Sequence, residues 1–261
     1  MPRPTEEAYS ELQQAYDHFN EELFDKRLPQ CLMTLQRKSS TRGYFSHARF
    51  INRDSQHMDE IAMNPEYFPL FSIEEVLSTV VHEMVHQEMT LLETAGRGRY
   101  HNKAWGERME LLGLMPSATG LPGGKRTGDR MTHYIVDDGL FQVSCRKLLT
   151  QEFTISWMDR FPPRKAVQTL VRRAEEESKR PDPLGSEGEG EGDDDSSAAA
   201  LLARLRELGV DTEDDEIKPV ARPSSNRYKY RCVDCGLNVW GKLGLNIVCG
   251  DCDVAFENTD I

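Results

Sequence analysis

The sequence predicts an α+β domain in which a small antiparallel sheet packs on a buried, metal-binding helix, followed by an acidic tether and a small C-terminal metal ribbon. Three observations predict it. An apolar run over 73–85 has polar residues set into it, three short alternating stretches precede that run, and two Cys-x-x-Cys pairs stand near the C-terminus.

Taken in order, residues 5–28 place Leu12, Ala15, Tyr16, Phe19 and Leu23 three or four apart, the period of a helix with one buried face, which Leu28-Pro29 closes. Residues 31–37, 44–50 and 60–63 alternate or carry aromatics and end at Asn64-Pro65, giving three strands of one sheet. Ser72 and Glu75 have the spacing of a capping box, so a helix starts at Ile73. Its residues Ile73, Val76, Leu77, Val80, Val81, Met84 and Val85 cover more than one stripe, as in a helix packed on most sides. A glycine-rich turn at 95–99 leads to a second amphipathic helix with Trp105, Met109, Leu111 and Leu112, ending at Gly113. Proline and glycine mark 114–124 as a loop, and 131–136 and 140–145, joined through Asp137-Asp138-Gly139, read as a hairpin carrying His133 and Tyr134. An oxyanion-stabilising role for either competes there with an ordinary strand position.

The chain of 261 residues is long enough for one ordinary domain, here 1–165, plus an appendage. Its net charge of −12 is concentrated: residues 175–216 hold 16 acids and 4 bases, while the rest holds 28 of each. The segment 166–217 is therefore expected to be an acidic, mostly disordered linker, because it cannot bury enough apolar surface to offset chain entropy. Within it, 197–208 with Leu201, Leu202, Leu205 and Leu208 is a helix candidate, either a spacer or a docking helix for a partner. No apolar signal core or bilayer-length stretch occurs, so a cytoplasmic protein with no membrane partner is expected. Cys31 and Cys145 stand alone as core residues, and the paired cysteines suit metal binding in a reducing compartment.

Those pairs are Cys232 and Cys235, then thirteen residues, then Cys249 and Cys252, the spacing of a closed four-thiolate structural zinc site in a ribbon over 218–261. Lys218, Arg222, Arg227, Lys229 and Arg231, with no acid among them, are interleaved with Tyr228 and Tyr230, and Trp240 follows. Bases and aromatics together suit phosphate contact and base stacking, so DNA is the partner expected of this tail. A second basic excess, of seven to three over 97–130, is either a solvated face or a phosphate-contacting rim.

In the first helix-core run, His82, Glu83 and His86 form His-Glu-x-x-His. Residues four apart on a helix share a face, so both imidazoles reach one metal ion, with the glutamate placed to take a proton from metal-bound water. Without a metal they would be hydrogen-bonded core histidines, and burying such polar groups unpartnered costs several kcal/mol. A catalytic zinc takes a third protein ligand. The compact continuation would need glycine and histidine at 89 and 92, where Met89 and Leu92 stand; Glu107 and Glu110 are available, but His101, after the glycine-rich turn, is preferred.

His82-Glu83-Met84-Val85-His86, then His101 followed by Trp105, resembles the SprT-like (Spartan-type) zinc metalloprotease family, whose usual glycine after the third histidine is here Asn102. The resemblance extends to residues 19–24, Leu28-Pro29 and the cysteine-rich tail. It implies a zincin-like metallopeptidase domain, zinc held by His82, His86 and His101, Glu83 as base, and a sheet edge that holds substrate as an added strand. It also implies a protein or peptide substrate, attached to DNA. Two zinc ions are expected, one catalytic and one structural. The alternatives are a DNA-associated zinc-binding regulatory protein without turnover and a general cytosolic peptidase with a protein-docking ribbon.

Overall fold

The computed structural model describes residues 3–98, 100–178, 198–210, 228–242 and 244–259, in two compact units divided at Thr212 and Glu213. The first unit is organised around α2 (Ile73–Leu91), which starts at the capping box: Ser72 Oγ accepts from the Glu75 N–H, and the Glu75 carboxylate accepts from the Ser72 N–H. Thirteen of its residues are buried, His82 and Glu83 among them.

α1 (Pro4–Phe24) supplies one wall through Leu12, Ala15, Tyr16, Phe19, Leu23 and Phe24. It stops at Asp25, in the left-handed region at φ 53°, short of Pro29. The connection that follows is held by Asn20, whose amide donates to the Leu28 carbonyl and accepts from the Leu28 N–H. Beneath it, the buried Glu88 of α2 bonds Arg27 at 3.0 Å and Arg108 at 2.6 Å, joining three segments through one carboxylate.

β1 (Leu32–Leu35), β2 (Gly43–Ile51) and β3 (His57–Met63) form a sheet in the order β1-β3-β2. The expected sheet was antiparallel throughout; it is mixed, since β3 pairs antiparallel with β2 but parallel with β1. Alternation marks a strand but says nothing of its neighbour's direction. Ile61 and Met63 face the core and β2 occupies an edge. α3 (Lys103–Leu111) then leads through Gly113 into β4 (Leu114–Ser117), where the sequence indicates a loop, and β4 pairs with β5 (Thr132–Ile135). Gly113 has φ 79°, and a Cβ there would lie 2.8 Å from Gly139 Cα.

The expected second hairpin arm is instead a helix, α4 (Leu140–Leu149). Phe141, Ser144, Cys145 and Leu148 are buried on one helical face, against α1 and α2, and this burial overrides the shorter alternation read over 140–145. Cys31 and Cys145 are both buried core residues.

The stretch read as linker, 166–217, contains most of α5 (Arg164–Ser178) and all of α6 (Ala198–Glu207), which belong to the first unit. α6 docks within its own chain: Leu205 is buried with Leu70 and Val210, flanked by Tyr67, Val167 and Leu170, and Arg204 donates to the Pro69 carbonyl at 3.0 Å. The glycine- and acid-rich residues 181–195, expected to be disordered, lie outside the described residues.

The second unit contains β6 (Tyr228–Cys232), flanked antiparallel by β7 (Asn238–Gly241) and β8 (Phe256–Asn258). Among the described residues, no helix is long and apolar enough to cross a membrane.

Candidate active site and cysteine cluster

α2 presents His82 and His86 one turn apart, and the return of the chain delivers His101 to them. His101 Nε2 lies 3.3 Å from His82 Nε2 and 3.1 Å from His86 Nε2. The delivery is built from the backbone. His101 and Gly128 form an isolated antiparallel bridge, with His101 N donating to the Gly128 carbonyl at 2.9 Å and Gly128 N returning a bond at 3.2 Å. The loop before it closes tightly at Gly96, where a Cβ would sit 2.0 Å from the Tyr100 carbonyl oxygen. Asn102, in the position where the resemblance leads one to expect glycine, caps α3 by accepting from the Trp105 N–H and donates to the Thr94 carbonyl. The alternative ligands are engaged elsewhere: Glu107 pairs with Lys103 and Glu110 with Arg126. Arg108, bound to the buried Glu88 outside the segment, offsets one charge of the basic excess over 97–130.

Burial sets the protonation of the cluster. It drives His82 well below the usual histidine range, assisted by the neighbouring His86, His133 and His101. It lowers His86 to about 3 and lowers His101 as well, where the Gly128 carbonyl opposes the shift. All three are neutral imidazoles near pH 7. Because the His101 Nδ1–H is committed to Gly128 O at 3.0 Å, its Nε2 presents a lone pair to the other two rings. That lone pair calls for a donor or a cation, and a cation between the three rings would be ligated by all of them at once. Tetrahedral zinc with Zn–N of about 2.0–2.1 Å would space its nitrogens about 3.3–3.4 Å apart, so the donor set fits this ion in chemistry and spacing. Trp105 walls the cluster, stacked on His86 at 5.5 Å and edge-on to His101 at 4.4 Å.

Glu83, on the same turn, is buried, and burial raises its carboxyl to about 8 against an opposing hydrogen bond from the Phe45 backbone and the charge of Lys38. Phe45 belongs to β2, whose other side pairs with β3, so the unpaired edge of the sheet faces this carboxylate.

His133 is the residue whose role its sequence context left open. It lies behind His82, with Nδ1 3.2 Å from His82 Nδ1 and Nε2 2.8 Å from Ser78 Oγ. Strand alternation is a usable signal for it, since Met131 and Ile135, two residues to either side, both pack against the core.

In the second unit, Cys232, Cys235, Cys249 and Cys252 bring their sulfurs within 4.8 Å of one another, and all four are free thiols. The two Cys-x-x-Cys turns repeat each other. Gly236 N donates to Cys232 O at 3.0 Å and Asp253 N to Cys249 O at 2.9 Å, with φ of 74° and 57° at those fifth positions. The Cys235–Cys249 sulfur separation of 3.7 Å fits tetrahedral Zn–S bonds of about 2.3 Å, which space sulfurs about 3.8 Å apart. Backbone N–H groups, Cys235's foremost, lower the Cys232 thiol to about 7. Of the expected nucleic-acid residues, Tyr228, Lys229, Tyr230, Arg231 and Trp240 are described, and Trp240 is 62% exposed; Lys218, Arg222 and Arg227 lie outside the described residues.

A model of the SprT-like family matches residues 12–124 of the chain, which include the three histidines and Glu83. The protein described as "Uncharacterized protein in mucB 3'region" of Salmonella typhimurium is 58% identical to it over 59 residues, 22% of this chain and 80% of that protein. No solved structure matches the chain.

Proposed function

The chain belongs to the SprT-like family, and from that premise we propose that its first unit is a zincin-like, zinc-dependent endopeptidase acting on proteins associated with or crosslinked to DNA. The observation that carries the catalytic part is the convergence of three neutral imidazoles, with His101 Nε2 3.3 Å from His82 Nε2 and 3.1 Å from His86 Nε2, beside a buried carboxylate. His82, His86 and His101 would hold the ion. Zinc there supplies a Lewis acid that acidifies water and polarises a carbonyl.

The chain's own groups supply the remainder. Glu83 takes the proton of the attacking water and delivers it to the leaving amine, the two duties of a general base that becomes a general acid. Burial raises the proton affinity of this carboxyl in the metal-free protein, and a nearby dication favours the ionised form that serves as base. The open edge of β2 receives a peptide as an added strand, through backbone hydrogen bonds that read little sequence. The ribbon holds a structural zinc through Cys232, Cys235, Cys249 and Cys252, and offers Lys229, Arg231, Tyr228 and Trp240 to DNA.

The substrate class is tested by incubating zinc-loaded protein with a DNA-crosslinked protein and with the same protein free. Faster cleavage of the crosslinked form, lost in Glu83→Gln, supports the reading; equal rates on both would remove DNA from it. The exposed Val233, Leu237, Leu245 and Val248 favour a second reading, a ribbon that docks protein. Salt-insensitive binding of the full chain to DNA, or none at low salt, would select that one, because phosphate contacts weaken steeply with salt.

A further inference from the structure

Three polar residues behind His82 determine which of its nitrogens carries the proton. The Glu75 carbonyl can only accept, so Ser78, 2.8 Å away, spends its single hydroxyl proton on it. Ser78 Oγ then has only lone pairs to offer the His133 Nε2 at 2.8 Å, which places the His133 proton on Nε2. An imidazole protonated there has a bare Nδ1, and the atom facing it at 3.2 Å is His82 Nδ1, which must be the donor. With its one proton on Nδ1, His82 turns a lone pair on Nε2 toward His101 Nε2 at 3.3 Å.

We infer that His133 is a positioning residue for His82: through the chain Glu75 C=O, Ser78, His133, it fixes the tautomer and ring orientation in which His82 offers Nε2 to a metal. The inference rests on the metal-site reading above but not on peptidase activity. It differs from an oxyanion role, which would require His133 on the Nε2 side of His82; it sits on the Nδ1 side. His101 is held the same way by the Gly128 carbonyl, so of the three ligands one is set by a backbone group and another by a side-chain relay. Outer-shell partners of metal-bound histidine set ligand orientation and basicity, and their loss weakens metal binding by about 10–100-fold.

The test uses full-length protein carrying 15N-labelled histidine, whose imidazole signals report the tautomer in the metal-free state and occupancy during a zinc titration against a competing chelator. Reading the histidines directly leaves the cysteine cluster out of the measurement. Wild type should show His82 protonated on Nδ1. His133→Leu should lose that preference and weaken zinc binding by about 10–100-fold, whereas His133→Asn, whose Oδ1 can accept from His82, should recover most of the affinity. Ser78→Ala leaves the imidazole in place but frees its Nε2, and should shift His82 in the same direction by less, which keeps the inference testable if His133→Leu fails to fold. His82 protonated on Nε2 in wild type, or zinc affinity within about twofold of wild type in His133→Leu, or in Ser78→Ala where His133→Leu does not fold, would overturn it. A chain that binds zinc with this dependence yet cleaves nothing would refute the peptidase reading alone.

Discussion

Replacing Glu83 by Gln should stabilise the metal-free protein at alkaline pH and remove part of its pH dependence. Burial raises this carboxyl from 4.5 to about 8, while in the unfolded chain it returns to its ordinary value. Below pH 4.5 both states hold the proton and no penalty exists. As pH rises, the unfolded state ionises first; the folded state then holds more protons, so stability falls until the folded group ionises near pH 8. A shift of that size is worth at most about 4–5 kcal/mol, and Gln is exempt from it. Urea unfolding followed by far-UV circular dichroism in chelator, from pH 5 to 9, reads the first unit, since every helix among the described residues lies there. Buried His86 and His133, lowered to about 3, have the opposite sign. Their stability is present above the unfolded value of 6.5 and lost as pH falls, a background common to both proteins that cancels in the difference. The wild type should lose several kcal/mol relative to Glu83→Gln between pH 5 and 9, and zinc should erase the difference because a nearby dication favours the carboxylate. Parallel curves in chelator would refute the buried placement of Glu83.

Glu88→Ala should cost about 3–5 kcal/mol in thermal or urea unfolding, because it strands Arg27 and the largely buried Arg108 without their shared carboxylate. Leu205→Asp should release α6 from Leu70 and Val210, seen as faster tryptic cleavage at Arg204 and Arg206, with a stability loss limited to about 1.5–3 kcal/mol for that small cluster. If the proposed sites both hold zinc, His101→Ala should lower zinc content from two equivalents to about one, because it removes a proposed ligand of the three-histidine site and leaves the four cysteines intact.

What the sequence discloses depends on whether the signal is local. The start of α2 is a four-residue capping box, and the His-Glu-x-x-His pattern needs only the helical repeat to bring its imidazoles together, so both are legible without a fold. The cysteine spacing is likewise self-contained. The direction of β1 is not, because parallel pairing with β3 is settled by the connection between strands and not by either strand. Residues 140–145 carry a short alternation, and only the burial of Phe141, Ser144, Cys145 and Leu148 against α1 and α2 makes them a helix. Pro116 and the glycines after it conceal β4, which exists because β5 pairs with it. The leucines of α6 announce an apolar face, but its partner, Leu70 with α5, is a tertiary fact. His133 reads as a strand residue until the fold brings it within 3.2 Å of His82.

The most direct test of the central claim is the cleavage of a protein substrate by zinc-loaded wild type and Glu83→Gln, with bound zinc measured in the same samples. Loss of a general base lowers the rate by about 100- to 10,000-fold, so the variant should be nearly inert while its zinc content matches wild type. Cleavage at the wild-type rate by zinc-replete Glu83→Gln would contradict the assignment of Glu83 as the base.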